Sequence, residues 1–355
     1  MKRPVLSWRS PWLLAAVALV AVLVAARAYA PIAVQHYVNR TLARAEGYEG
    51  RIGDVDLNLW RGAYQIQNVD IVKKSGKTPV PLLRAPLVDL SIEWSALFDG
   101  ALVGEIWFDH PELNFVGGPP QEQQTGVETD WRDVVRALFP VKINRLTVRD
   151  GSMHFRNFHT DPKVDVFLRD VNLVARNLTN SKRLSEDMVA HATFSAVPMN
   201  SGHVDGRVAI DPYADSPSFD FDCKVSGVAL SNFNDLFRAY AKVDVERGRL
   251  ELVSELQAKN GSFHGYIKPF FENVEVITKK EAEHQSLFKT IWESIVGGAA
   301  DVLKNSTDQA VATRIPISGT VESPRVGFWA TLGNVLRNAF VQAFVPALEH
   351  SVGEE

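Results

Sequence analysis

Cysteine is almost missing from this sequence: Cys223 stands alone among 355 residues. An intramolecular disulfide is excluded, and so is a zinc cage built from several thiolates. Basic excess is missing as well. Lys and Arg total 38 against 42 Asp and Glu, a formal charge of −4, so no positive field is offered to nucleic acid. There is no low-complexity tract and no G-x-S-x-G nucleophile elbow. Gly76-Lys77-Thr78 resembles the end of a phosphate-binding loop, but Ile71 stands where the upstream glycine belongs. His154 and His159 share neither a helical face nor a strand rhythm. Asp54/Asp56 and Asp220/Asp222 set carboxylate pairs on one side of a strand, an arrangement that could suit a cation or acid–base work but is read here as solvated charge on the wet face. These gaps point to a protein with no catalytic residues, no metal and no cofactor.

Long apolar runs are also scarce, and the single one organises the chain. Ser10 to Ala26 is seventeen residues without a formal charge, close to the lower limit of about 17–25 for crossing a bilayer. Lys2, Arg3 and Arg9 precede it, which predicts a cytoplasmic N-terminus and an exported remainder. The same stretch reads alternatively as a cleaved signal peptide, with an A-x-A pattern at Ala28-Tyr29-Ala30. Pro31 at the first position after such a cut argues for an uncleaved anchor. The expected organisation is a cytoplasmic segment 1–9, a transmembrane anchor 10–30, a juxtamembrane helix 31–47, a β domain 48–280 and C-terminal helices with one short strand over 281–355. In the juxtamembrane helix Val34, Val38, Leu42 and Ala45 fall on one face.

From residue 48 the hydrophobic period changes from 3.6 to 2. Val88, Leu90, Ile92 and Trp94 alternate with polar residues, as do Val204, Val208 and Ile210, and Phe219, Phe221, Cys223 and Val225. This is the pattern of antiparallel strands with one dry and one wet face. Inside it a motif recurs: apolar-x-apolar, two residues, Gly or Pro, then x-apolar-x-apolar. Its copies are Leu57, Leu59, Gly62, Tyr64, Ile66; Ile106, Phe108, Pro111, Leu113, Phe115; Leu146, Val148, Gly151, Met153, Phe155; and Val243, Val245, Gly248, Leu250, Leu252. Asn260-Gly261 marks a partial fifth. Read as two-residue hairpins, these place Leu59 opposite Tyr64, Val148 opposite Met153 and Val245 opposite Leu250. Pro111 does not fit a primed turn, so the second copy needs another connection.

The fold class expected is mainly β: an elongated antiparallel hairpin meander, curved into a groove, with a few covering helices. Those helices are Asp130–Phe139, Glu281–Lys304 and Phe328 to about Leu348, the last with Trp329, Leu332, Leu336, Phe340 and Phe344 on its apolar face. The polar stretch from Gly117 to Thr129 is expected as a loop. The dry face carries the candidate site, lined by Leu57, Leu59, Tyr64, Ile66, Ile106, Phe108, Leu146, Val148, Phe155, Phe219, Phe221, Val225, Leu250 and Leu252. Two readings stay open. Either two such faces bury each other in a closed sandwich, whose partner would be another envelope protein, or one long sheet offers its face to lipid acyl chains.

The chain resembles the AsmA-like family of bacterial envelope proteins, in its domain-of-unknown-function branch. The segments that carry the resemblance are GEIWFDHPELNF (Gly104–Phe115), INRLTVRDGSMHF (Ile143–Phe155), GRLELVSELQAKNGSFHGYIKPFFENVEV (Gly248–Val276) and TRIPISGTVESPRVGFWATLGNVLRNAF (Thr313–Phe340). The resemblance implies an inner-membrane anchor, a periplasmic U-shaped sheet and a role in moving phospholipid toward the outer membrane. The chain is short for a bridge across the periplasm, so a shuttle, a partial groove or a helper of a longer relative fits better. It carries over no catalytic residues and no cofactor.

Overall fold

The computed structural model of the chain describes residues 11–58, 62–75, 77–92, 103–119, 121–124, 126, 142–178, 190–210, 218–240, 243–259, 262–277, 310–312 and 315–320. The expected helices at Asp130–Phe139, Glu281–Lys304 and Phe328–Leu348 lie outside the described residues, and so do Trp329, Leu332, Leu336, Phe340 and Phe344.

Anchor and juxtamembrane segment form one element. Helix α1 runs unbroken from Pro11 to Leu42 with Pro31 inside it, and its Leu14–Leu42 portion is long and apolar enough to cross a membrane. Its two halves differ in what they touch. Trp12, Leu14, Val20, Leu23 and Val24 are exposed, Trp12 at 84%. A helix that is apolar on all sides is matched by a core or by lipid rather than by water. Beyond Pro31, Val38 and Leu42 are buried at 2% and 3%, and with Val34 they pack on the first strands. At roughly 1.5–3 kcal/mol per buried aliphatic side chain, this face contributes several kcal/mol to holding α1 on the sheet.

The strands are β1 (Tyr48–Arg51), β2 (Val55–Asn58), β3 (Ala63–Lys73), β4 (Leu83–Ile92), β5 (Val103–Asp109), β6 (Glu112–Gly117), β7 (Lys142–Asn157), β8 (Val164–Arg176), β9 (Ala190–Pro198), β10 (His203–Ile210), β11 (Phe219–Ala229), β12 (Asp244–Lys259), β13 (Ser262–Ile277), β14 (Ala310–Ala312) and β15 (Ile315–Thr320). All fifteen belong to one sheet, in the order β1-β3-β4-β5-β7-β8-β9-β10-β11-β12-β13-β14, with β2 on β3, β6 between β4 and β7, and β15 on β13. Twelve strands along that path, at about 4.8 Å each, extend roughly 50 Å. A 3₁₀ turn (Leu230–Phe233) and helix α2 (Asn234–Tyr240) interrupt it between β11 and β12.

Two expectations are corrected. The sheet is mixed rather than antiparallel throughout, because β5 and β6 both pair with β7 in parallel. The long connection between Gly117 and Lys142 supplies the crossover that parallel neighbours require. Most of the repeated motifs, moreover, are not hairpins. Leu146–Phe155 lies within the single strand β7, and Val245–Leu252 within β12. Gly104–Phe115 is β5 followed directly by β6. Only the first copy turns back on itself, and its register is Leu57↔Tyr64 and Val55↔Ile66, with Leu59 outside the described residues. The partial fifth also turns back, Lys259 pairing with Ser262.

What the motif encodes is a step. In a regular strand, residues on one face are two apart; here each long strand once advances by three. Ile52 is followed by Val55, Ile66 by Val69, Ala85 by Val88, and all six belong to one apolar cluster. The same step separates Val148 from Gly151, Leu168 from Val171, Val225 from Val228 and Phe271 from Val274, at the bulges of β7, β8, β11 and β13. The residue just before the second member has positive φ in Asn68, Asp150, Asp170, Gly227 and Asn273, and so does His110 between β5 and β6. Asn, Asp, His and Gly are the residues that tolerate the left-handed region at least cost. Because neighbouring strands step at the same level, the irregularities line up as a seam across the sheet. A bulge bends its strand and raises local twist, and here the bulges fall at one level.

The hairpin β9–β10 stops at the seam, its turn passing through Met199, Asn200 and Gly202 at positive φ. Beyond it Val164 and Val166 have β7 on one side only, and α2 closes the other: Leu236 packs on Val164, Val166 and Met199.

Candidate functional site: the apolar face of the sheet

Register and packing place the sequence-predicted face residues on one side. Leu57, Tyr64, Ile66, Ile106, Phe108 and Leu146 join one cluster with Val38 and Leu42 of α1. Phe219 and Phe221 join a second, with Val208, Ile210, Phe194, Cys223, Leu256 and Phe263. Leu250 belongs to a third, with Leu230, Val245 and Phe271. Val148 pairs with Leu173, Phe155 with Val166 and Val225 with Leu252, which keeps all of them on the same side. The clusters follow one another along the sheet, and the strand pairs in substantial contact are sheet neighbours. No one cluster joins the first strands to the last among the described residues.

Sequence reasoning missed what fills the centre of the second cluster. Phe194 lies over Gly206: a Cβ added there would sit 2.1 Å from the ring. Phe194 also stacks with Phe221, centroids 6.3 Å apart. The register Phe194↔Gly206↔Cys223 explains the arrangement, since a glycine between two larger residues leaves room for a ring to lie flat. The available signal was a glycine inside an alternating strand, which marks a close approach. Burial, and secondarily the charge of Asp205, push the Cys223 thiol up to about 11, so it stays protonated and unreactive.

The opposite face is polar and internally paired. Asp222 accepts from Arg207 at 2.6 Å and Asp220 from Gln257 at 3.4 Å, so this carboxylate pair belongs to a solvated strand face. A shallow open depression of about 650 Å³ across β8–β12 is lined by Asn172, Thr193, Arg207, Asp222 and Glu255. Its charges are of both signs, and Arg207 is committed to Asp222. Further along, Arg156 bonds Asp165 at 3.1 Å and Glu112 at 3.2 Å, and His154 bonds Asp165 at 2.8 Å. Burial works to raise the Asp165 and Glu112 carboxyls, but the hydrogen bonds and charges of Arg156 and His154, with Asn114 at Glu112, hold both below the usual range. His159 bonds Glu122 at 2.8 Å, apart from His154. Lys77 reaches Gln121 at 2.6 Å and Thr78 the Glu122 carbonyl at 3.3 Å, so this stretch tethers the polar loop to the sheet. The loop is held further by the buried Gln124 side chain, which donates to the Asn114 carbonyl at 3.0 Å. Among the described residues no group of three or more His, Cys, Asp or Glu is placed to hold a metal ion.

Fold and face thus define a mainly β protein: one large mixed sheet, few helices, and an apolar N-terminal helix packed on the first strands. No protein-family model and no curated protein matches the sequence.

Proposed function

We propose that this protein is anchored in the bacterial inner membrane by α1 and holds or moves phospholipid along the apolar face of its sheet, without chemistry. One observation carries the reading. A membrane-length apolar helix runs without a break into the end of a single sheet whose apolar face continues from β2 to β13. Acyl chains ask for apolar surface and no hydrogen bonds; the half-buried Val225, Leu250 and Leu252 are where this face has such surface, while Ile66, Ile106, Phe219 and Phe221 are buried. The resemblance to AsmA-like proteins supports the same role in outer-membrane biogenesis and envelope integrity. Lys2, Arg3 and Arg9 ahead of the helix support a cytoplasmic N-terminus and a periplasmic sheet. The organisation in one sheet supports this reading over a two-sheet sandwich that serves another envelope protein.

The test is site-specific photocrosslinking in cells. A photoreactive residue at Val225 or Leu252 should give phospholipid adducts, detected by intact mass, while one at Lys224 on the opposite face should not. Adducts at neither inward position, or equal adducts on both faces, would sink the proposal.

A further inference from the structure

Past Pro31 the face that α1 turns away from the sheet has the character of a contact for an anionic surface. Val34, Val38 and Leu42 dock on the sheet. Gln35 donates to the Gly53 carbonyl, and Asn39 accepts from the Ile52 amide at 2.8 Å, so the helix cannot roll. Two positions after each docked residue come His36 and Arg40, about half a turn away from the packed row, and Arg44 in the turn that follows α1, just ahead of Glu46; all are exposed. No Asp or Glu occurs from Pro11 to Ala45. Exposed Ile32 and Tyr37 lie beside the row, and apolar, aromatic and basic side chains together are the composition of a membrane interface.

The position fits the chemistry. A hydrocarbon layer of about 30 Å takes about 20 helical residues, which Pro11 to Ala30 supply, with Arg27 near the outer edge, where its side chain reaches toward the headgroups. Arg40 then lies about 15 Å further along the axis. Helical side chains lean toward the N-terminus, which carries its guanidinium back to within about 10 Å, a Debye length, of the hydrocarbon edge. We propose that His36, Arg40 and Arg44 form a docking strip for anionic lipid headgroups in the leaflet from which α1 emerges, holding the first strands against the bilayer. This rests on the reading that α1 spans a membrane, and is independent of what the sheet carries. Cations in a last helical turn also complement the helix dipole, but that role is the same in any lipid.

The experiment uses the full chain with Cys223→Ser and a donor fluorophore on Ala43→Cys, in phosphatidylcholine nanodiscs. A trace acceptor is placed on the headgroup of either phosphatidylglycerol or phosphatidylcholine. Energy transfer to the phosphatidylglycerol acceptor should be several-fold greater, with roughly a fivefold enrichment per basic side chain near the surface. High salt and the pair Arg40→Gln/Arg44→Gln should bring the ratio toward one, while Arg40→Lys/Arg44→Lys should keep it. Equal transfer to both acceptors in a chain that resists alkaline extraction overturns the docking strip alone. A chain released by alkaline extraction overturns the spanning helix and the strip with it.

Discussion

Replacing Asp150 by valine and by glycine distinguishes a stepped strand from an ordinary one by the sign of the effect. Asp150 is exposed in the middle of β7 with φ 47°. Among the described residues its side chain makes one long contact, with Asn172 at 3.5 Å, so the backbone geometry is what the substitution tests. A residue with a Cβ in the left-handed region costs about 1–2 kcal/mol, and a β-branched one belongs at the upper end. Asp150→Val should therefore destabilise the protein by about 2 kcal/mol. For a domain of this size each kcal/mol moves Tm by roughly 2–4 °C, giving a fall of about 4–8 °C. Asp150→Gly relieves the strain but loosens the unfolded chain, and should stay within about 0.5 kcal/mol of the parent. Were Asp150 an extended strand residue, valine would instead stabilise by up to about 1 kcal/mol, because strands favour β-branched side chains. The assay is thermal unfolding of the purified full chain in mild detergent, followed by far-ultraviolet circular dichroism. A valine variant as stable as the parent, or more so, refutes the step.

Other expectations follow from single contacts. Gly206→Val drives a side chain into the Phe194 ring and should cost about 1–3 kcal/mol; Phe194→Ala added to it should restore part of the lost Tm. Asn234 bonds the Val245 amide at 2.8 Å and its carbonyl at 2.9 Å. Asn234→Ala leaves both backbone groups without that partner and should lower stability by about 2 kcal/mol, read by the same melt. The depressed Asp165 and Glu112 carboxyls contribute stability that is complete above the ordinary carboxylate range of about 4 and is lost as pH falls through their lower folded values. Tm should thus drop in acid, and Arg156→Met should flatten that drop. An unchanged acid limb in the variant would place the sensitivity elsewhere.

The sequence makes the class of secondary structure legible and leaves the connectivity open, for a reason visible in β7. Val148 and Met153 are separated by an odd number of positions yet share a face. A two-residue hairpin and a single strand with one extra residue both satisfy that parity, and Asp-Gly suits either because both tolerate positive φ. The discriminating signals were elsewhere. Pro111 excluded a primed turn in a copy of the same motif, and the step from Leu168 to Val171 breaks the alternation with no glycine at all. The parallel neighbours of β7 escaped because alternation reports which face a residue takes, not the direction of the next strand. The face residues are legible because burial on one side enforces them. Phe194 over Gly206 depends on a cross-strand register that only the assembled sheet supplies.

That strands make their main contacts with their sheet neighbours bears on how this molecule comes apart. In such a ladder, stability approximates a sum over successive interfaces rather than a property of one shared core. Loss of order then starts at an edge and advances strand by strand, and the innermost pairs are the last to exchange their amides. The first edge is reinforced by α1, whose side chains bond Gly53 and Ile52. The molecule is thus a zipper with one end sewn shut.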